Sequence, residues 1–377
     1  MSVKAARPDF SSRSAGFKGD DMVDPKGWLE SEALSDALLT CQDMLLKQYK
    51  ELDRLAKIDQ SKHFSRAVWA AIFALVAIVV ALVNVGYRAT SPISAGTPTY
   101  VLAVLELLAG GAALVTVAYG IWTAYHHEWL LNRYRAERLR YAKFHFLTSA
   151  DLWVPSRRDR AIAELRDEAR DIRHHGMDDV KMWLKVDRAP RPADLPRDVD
   201  LAASAESIRE LRAYYHDTRL AAQLDYLAAK AEARSHRAEL VGRLPQMLFF
   251  ATAGLILLHF AFEAPHVLGW LLAIGSHAAV REEAPSLAGW LTVALVLLAV
   301  ALPASGAMFR TIFAAREMGR NATRSSAKLK ALEEMSASIR EEDEPSEILR
   351  NLWLCEYVIE SDHREWLRLM IDAEWFG

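Results

Sequence analysis

Ala67–Tyr87, AVWAAIFALVAIVVALVNVGY, runs 21 residues without a formal charge, and Leu287–Phe309, LAGWLTVALVLLAVALPASGAMF, runs 23. A bilayer core about 30 Å thick is crossed by ~20 apolar residues rising 1.5 Å each. Both stretches read as membrane spans, and a purely soluble fold is the first class to drop. Two further spans are placed at Tyr100–Ala124 and at about Leu244–Phe262, the latter softened by Pro245, Gln246 and His259. His266–Val280 has 15 residues, too short to cross, and reads as an interfacial or re-entrant helix.

Working outward, residues 1–27 carry Ser, Gly, Pro and charge without periodicity and are expected to be disordered. From Trp28 a helical stripe begins: Leu34, Leu38, Cys41, Leu45, Leu52 and Leu55 recur at spacings of three, four or seven. No Gly or Pro interrupts it before the first span, so one long helix is expected. The second span continues into HHEWLLNRYRAERLRYAKFHFL, an amphipathic basic helix from His126 to about Leu147. Asp151–Lys185 should hold one short helix around Asp159–Arg173, and Asp187–Asp200, with Pro190, Pro192 and Pro196, reads as a linker. Ala203–Arg243 is again a long helical pattern. The fourth span runs on into a basic helix from Arg310 to Leu332, and Glu333–Gly377 sums to -9 from 13 acidic residues and 4 Arg, with a helix near Ile348–Trp375.

Each half therefore reads long helix, span, short loop, span, basic helix. Leu52-Asp53-Arg54-Leu55-Ala56 and Leu224-Asp225-Tyr226-Leu227-Ala228 match before spans one and three. The expected fold is an all-α membrane protein: four transmembrane helices as two direct repeats of a two-span hairpin with long cytoplasmic helical extensions. Its units are 28–150, with spans 67–87 and 100–124, and 203–332, with spans 244–262 and 287–309. A charged, Pro-rich linker at 151–202 joins them and an acidic tail at 333–377 comes last. Lys57, Lys62 and Arg66 precede the first span, Arg133 to Lys143 come after the second, and the same asymmetry flanks spans three and four. The external loops hold Arg88 and Arg281. The positive-inside rule then puts both termini in the cytoplasm, with the chain in a cell membrane.

Across all 377 residues, 46 Lys+Arg stand against 49 Asp+Glu, a net charge of -3 that gives no case for nucleic-acid binding. Two cysteines far apart suggest no disulfide framework. Phosphate-binding glycine loops, Cys-x-x-Cys and His-Glu-x-x-His are missing from the sequence. No enzyme, cofactor or metal site is expected. His126-His127 and His174-His175 lack the i, i+4 spacing of a helical metal site.

Trp129–Leu147 (WLLNRYRAERLRYAKFHFL) resembles the aromatic/Arg–AERLR pattern found after the transmembrane pair in SLATT domains, the SMODS- and SLOG-associating two-transmembrane effectors of bacterial conflict systems. Leu211–Leu227 (LRAYYHDTRLAAQLDYL), Met247–Phe260 (MLFFATAGLILLHF), Leu302–Arg324 and Glu356–Trp375 are similar to duplicated members of that group. The resemblance covers about residues 28–377. It implies a pore-forming membrane effector of antiviral defence, triggered by a nucleotide signal or a sensor protein. No fused sensor is recognisable in this sequence.

Candidate residues come from treating the bilayer as solvent. Glu106, the one formal charge inside a predicted span, costs ~2.5–3.5 kcal/mol to insert. It reads as a pore-lining or gating carboxylate, or else snorkels or makes one interhelical hydrogen bond. Gly110 and Gly111 allow close helix packing, within the chain or between subunits. Pro303 and Gly306 form a gating hinge or a static kink. The basic face of Arg133, Arg135, Arg138 and Arg140, with Arg310, Arg316 and Arg320, could meet a phosphorylated ligand or an acidic partner. Attraction to anionic lipid, about 1 kcal/mol per cation, explains these residues without one. The acidic tail could also fold back on them as a latch. Four helices with one carboxylate make a poor channel alone, so the pore reading requires a homo-oligomer in the lipid bilayer. The other class of reading is a non-conducting scaffold that holds a sensor or nuclease at the membrane.

Overall fold

The computed structural model describes residues 21–23, 30–90, 97–123, 125–185, 201–228, 243, 247–255, 257, 287–315 and 318–372, and their regular structure is wholly helical. Helix α1 is Glu32–Cys41 and α2 is Lys47–Thr90, joined without a break by a π-turn at Gln42–Leu46. Then come α3 (Thr97–Trp122), α4 (Tyr125–Thr148), α5 (Ala150–Trp153), α6 (Arg158–His174) and α7 (Met177–Lys185). A 3-10 turn at Ala202–Ser204 leads into α8 (Ala205–Tyr215), a second π-turn at His216–Leu220 and helical residues 221–228. Helices α9 (Leu287–Ala315), α10 (Met318–Glu341) and α11 (Pro345–Asp372) close the chain.

Two compact units emerge. One collects Met1–Ser61, Tyr125–Glu232 and Thr323–Trp375; the other collects Lys62–Ala124 and Ala233–Ala322 with Phe376–Gly377. The division gathers polar-faced helices apart from apolar ones, cutting across the halves 28–150 and 203–332. Side chains suited to hydrocarbon and side chains suited to a charged core do not share one interior.

In the first unit, α4 is the central helix, packed by α6, α7 and α11. The sequence predicts an amphipathic helix there, with one wet side. Its buried residues instead run Trp129, Leu130, Asn132, Tyr134, Ala136, Glu137, Leu139 and on to Thr148, covering every face of the helix. The short helix expected at Asp159–Arg173 is α6, which turns Ala161, Leu165, Ala169 and Ile172 inward at spacings of four and three. Helix α11 contributes Ile348, Leu349, Leu352, Cys355 and Ile359 to the same core. Residues 21–23 form a turn in which Asp21 and Met22 are buried, so the disorder expected through residue 27 does not hold there.

The π-turns reset the buried stripes. Leu34, Leu38, Cys41 and Leu45 are buried as expected, but beyond the first π-turn the inward positions become Tyr49, Asp53, Ala56 and Asp59. Leu52 and Leu55 are only half-buried. A π-turn spends one extra residue per turn and so rotates everything after it. The second stalk repeats the plan. Ser31 precedes the ten-residue α1 and Ser204 the eleven-residue α8, and each helix runs into a five-residue π-turn. The two stalks touch: Glu210 accepts the Glu30 and Ser31 backbone N–H groups at 2.5 and 2.7 Å, placing a carboxylate at the α1 N-terminus.

The second unit holds α3 and the part of α2 after Ser61; the helical stretches Glu32–Tyr87 and Pro98–Thr148 each contain a segment long and apolar enough to cross a membrane. Only 6% and 0% of those segments is buried, unlike the core helix of a soluble protein. Leu107, Leu114 and Trp122 are 74%, 70% and 83% exposed. At one end Arg66 donates to Thr123 Oγ1 at 2.9 Å and lies 4.5 Å over the Tyr119 ring. Helix α9 carries the shorter apolar segment Leu297–Phe309. Of the third expected span, residues 247–255 and 257 are helical; Gln246, His259, the piece 266–280 and the linker 187–200 lie outside the described residues.

Candidate functional site

At the centre of the first unit lies a cluster of buried charge. The second π-turn buries all five of its residues, His216 to Leu220. Its fourth residue is Arg219, fully buried; the fourth residue of the first π-turn is Leu45, also fully buried. Two stalk helices of the same plan thus send a leucine and an arginine to matching positions. Arg219 grips Glu356 of α11 with Nε to Oε1 at 2.8 Å and Nη2 to Oε2 at 2.9 Å, and donates Nη1 to Asp21 Oδ2 at 2.5 Å. Tyr215, one helical turn earlier, adds its hydroxyl to Glu356 at 2.7 Å.

Helix α4 supplies the next layer. Arg140 Nε lies 2.9 Å from Asp21 Oδ1, and its Nη1 reaches both oxygens of Glu137 at 2.9 and 2.8 Å. It also donates to Tyr49. Lys143 donates to the Asp21 carbonyl and to the Tyr214 hydroxyl, each at 2.9 Å. Arg133 pairs with Glu137 and with Asp53 of α2. Nearer the α11 end, Glu360 receives Arg364 at 2.7 Å and Trp183 Nε1 at 3.2 Å, and lies 3.5 Å from Arg138. His363 sits among Tyr141, Trp183 and Trp366.

These surroundings set the protonation states. Burial raises the Asp21 carboxyl, but Arg140 and Arg219 outweigh it and hold the group below the usual carboxylate range. Glu137 shows the same pattern, with burial opposed and overcome by Arg133 and Arg140. Burial works against the Arg219 charge, yet Glu356 and Asp21 raise its pKa well above the ordinary value. Burial, helped by Glu356, pushes the Cys355 thiol up to about 12, which leaves it an unreactive neutral thiol near pH 7. Chemically, such a constellation holds fixed, mutually paired charge inside the unit. Among the described residues no group of three or more His, Cys, Asp or Glu side chains could hold a metal ion.

The residues singled out from sequence have varied surroundings. Arg133, Arg138 and Arg140 keep 32%, 18% and 12% of their side-chain surface and are ion-paired, while Arg135 donates to the His175 carbonyl. They line the core of the unit where an open basic face is expected, because α4 is covered on all sides. Arg310 and Arg320 lie on α9 and α10, with side chains outside the described set, as is Arg316 altogether. Glu106 is half-buried on α3. A Cβ at Gly110 or Gly111 would meet nothing within 4 Å, so the close packing expected there is not supplied by the described chain. Pro303 lies inside α9 and exposed, Gly306 is buried, and Ser305 returns its hydroxyl to Ala301 at 2.9 Å. The acidic tail does fold onto α4, through an apolar core and through Glu360 with Arg138, while Glu356 pairs with Arg219 and Tyr215.

Sequence reasoning missed Arg219, Asp21, Glu137 and Glu356 as partners. For Arg219 and Glu356 a signal was present in apolar and aromatic neighbours, Ala213-Tyr214-Tyr215 before the one and Trp353-Leu354-Cys355 before the other. Charges at such positions are exposed or paired, and the sequence does not say which. Comparison with protein-family models, with curated proteins and with solved structures finds no match.

Proposed function

We propose that the chain is a membrane effector of a bacterial conflict or antiviral defence system. In this reading it inserts into the inner membrane with both termini cytoplasmic, assembles as a homo-oligomer and permeabilises the bilayer when triggered through its helical body. The observation that carries the reading is the pair of long apolar helical segments with almost no covered surface. Uncovered apolar area on that scale is stable in hydrocarbon and unstable in water. The matched stalks, α1 and α8 with their π-turns, support two direct repeats and hence four spans. The open faces of Gly110 and Gly111 leave room for a second copy to approach α3 closely. The resemblance to SLATT domains points the same way and brings with it a sensor protein or nucleotide signal as trigger.

Two measurements test this. The mass of the detergent-solubilised protein should exceed one chain, and Gly110→Leu with Gly111→Leu should lower it; a monomer would count against a pore. Membrane potential after induced expression should collapse, less so for Glu106→Ala. Toxicity with the potential intact would favour the non-conducting scaffold instead.

A further inference from the structure

Three buried cations converge on one residue of a short turn. Arg219 and Arg140 each address one carboxylate oxygen of Asp21, and Lys143 addresses its carbonyl, at 2.5, 2.9 and 2.9 Å. Each cation has a second support that does not depend on the turn: Glu356 holds Arg219 through two bonds, Glu137 holds Arg140 through two, and Tyr214 holds Lys143. The cradle is therefore pre-formed. Without Asp21 it would contain three positive groups and the two carboxylates of Glu137 and Glu356, one positive charge unmet in a buried place. Such a charge is costly until an anion meets it. Two hydrogen-bond donors, Arg219 and Lys143, with the Arg140 cation beside them, face three oxygens of Asp21, a charge arrangement that also suits a phosphoryl group.

We propose that Arg140, Lys143 and Arg219 form a binding site for the phosphoryl group of a small soluble anion, and that the Asp21–Val23 turn is its built-in occupant. The turn is anchored by Met22, which is buried in the core beside it. Ligand and turn compete for one set of donors, so ligand binding expels the turn. The apparent affinity is reduced by the fraction of time the cradle stands vacant, as for any ligand that must wait for a minor state. The site stands whether or not the apolar helices cross a bilayer, and its failure leaves that reading untouched.

The test uses the full chain in neutral detergent, with pyrophosphate as probe and sodium chloride at matched ionic strength as control. Readouts are thermal midpoint and trypsin cleavage at Lys18 and Lys26, the lysines flanking the turn in sequence. In the wild type, pyrophosphate should increase cleavage at these lysines where chloride does not. Asp21→Asn, which removes charge and keeps size, and Met22→Ser, which loosens the anchor and keeps all three cations, should each bind pyrophosphate at least about tenfold more tightly. Lys143→Met should abolish the response. If neither turn variant gains affinity and wild-type cleavage ignores pyrophosphate, the cluster is structural and the proposal is overturned. A response to phosphatidic acid micelles with none to pyrophosphate overturns it equally, by placing the phosphoryl group on a lipid. If either turn variant fails to fold, the wild-type cleavage and the Lys143→Met comparison decide.

Discussion

Arg219 bonds residues 137 and 198 positions away in the chain, and all three groups are buried. Taking these ions out of water costs several kcal/mol each, and their mutual attraction returns that only while all partners stay in place. Breaking one partner is thus worse than removing the set. Arg219→Met should destabilise the helical body by about 3–5 kcal/mol in denaturant unfolding, and adding Glu356→Gln, which removes one charge of the opposite sign and leaves Asp21 to Arg140 and Lys143, should recover most of it. A double variant no more stable than the single one would contradict the account. His363 gives a second prediction. Burial pushes its imidazole down to about 4, with Glu137 and Asp362 opposing burial and Arg133 and Arg140 adding to it. A histidine kept neutral when folded takes its proton first in the unfolded chain. Its contribution is then complete above pH 6.5 and is lost as pH falls from 6.5 towards 4, a span worth ~3 kcal/mol. His363→Leu should flatten the stability profile across that window.

At the scale of elements, α11 is a core helix and its removal is a folding test. Leu352, Cys355 and Glu356 are fully buried, and Ile359 extends the same stripe in the core. A chain ending after Glu341 should lose the protease-resistant body, and Leu352→Ala should cost about 2–5 kcal/mol. Unchanged protease resistance of the truncated chain would show α11 to be a detachable latch. The second π-turn makes a sharper prediction. Deleting Thr218 returns the turn to ordinary helical spacing and swings the downstream residues by about 100°. The deletion should destabilise the body at least as much as Arg219→Met, since residues 221–228 turn away as well.

Over the whole molecule, one chain carries a body that seals charge inside and apolar helices that leave hydrocarbon surface outside. The proposed topology predicts that protease added to intact spheroplasts leaves the region near Pro192 uncut and cuts it after permeabilisation; cleavage in intact cells would overturn that topology. The helical nature of the described elements and the two apolar helices were legible in sequence. Helix α6 was located to within one residue at each end, because Ala161, Leu165, Ala169 and Ile172 form an ordinary amphipathic stripe. The covering of α4 was not legible. Its Arg and Glu residues match an exposed helix in composition, and only neighbours from α2, α6, α7 and α11 settle whether they meet water or one another.

The sequence by itself determined which stretches are apolar enough to cross a bilayer. Hydrocarbon tolerates long runs free of charge, and such runs are a local property that any window of ~20 residues reveals. Only the tertiary structure decided where the charges of the helical body go. Asp21, Arg219 and Glu356 become one site when the Asp21–Val23 turn, the second stalk and α11 are brought to the same place. Electrostatic pairing depends on distance in space, and no periodicity along the chain encodes a contact across 198 residues.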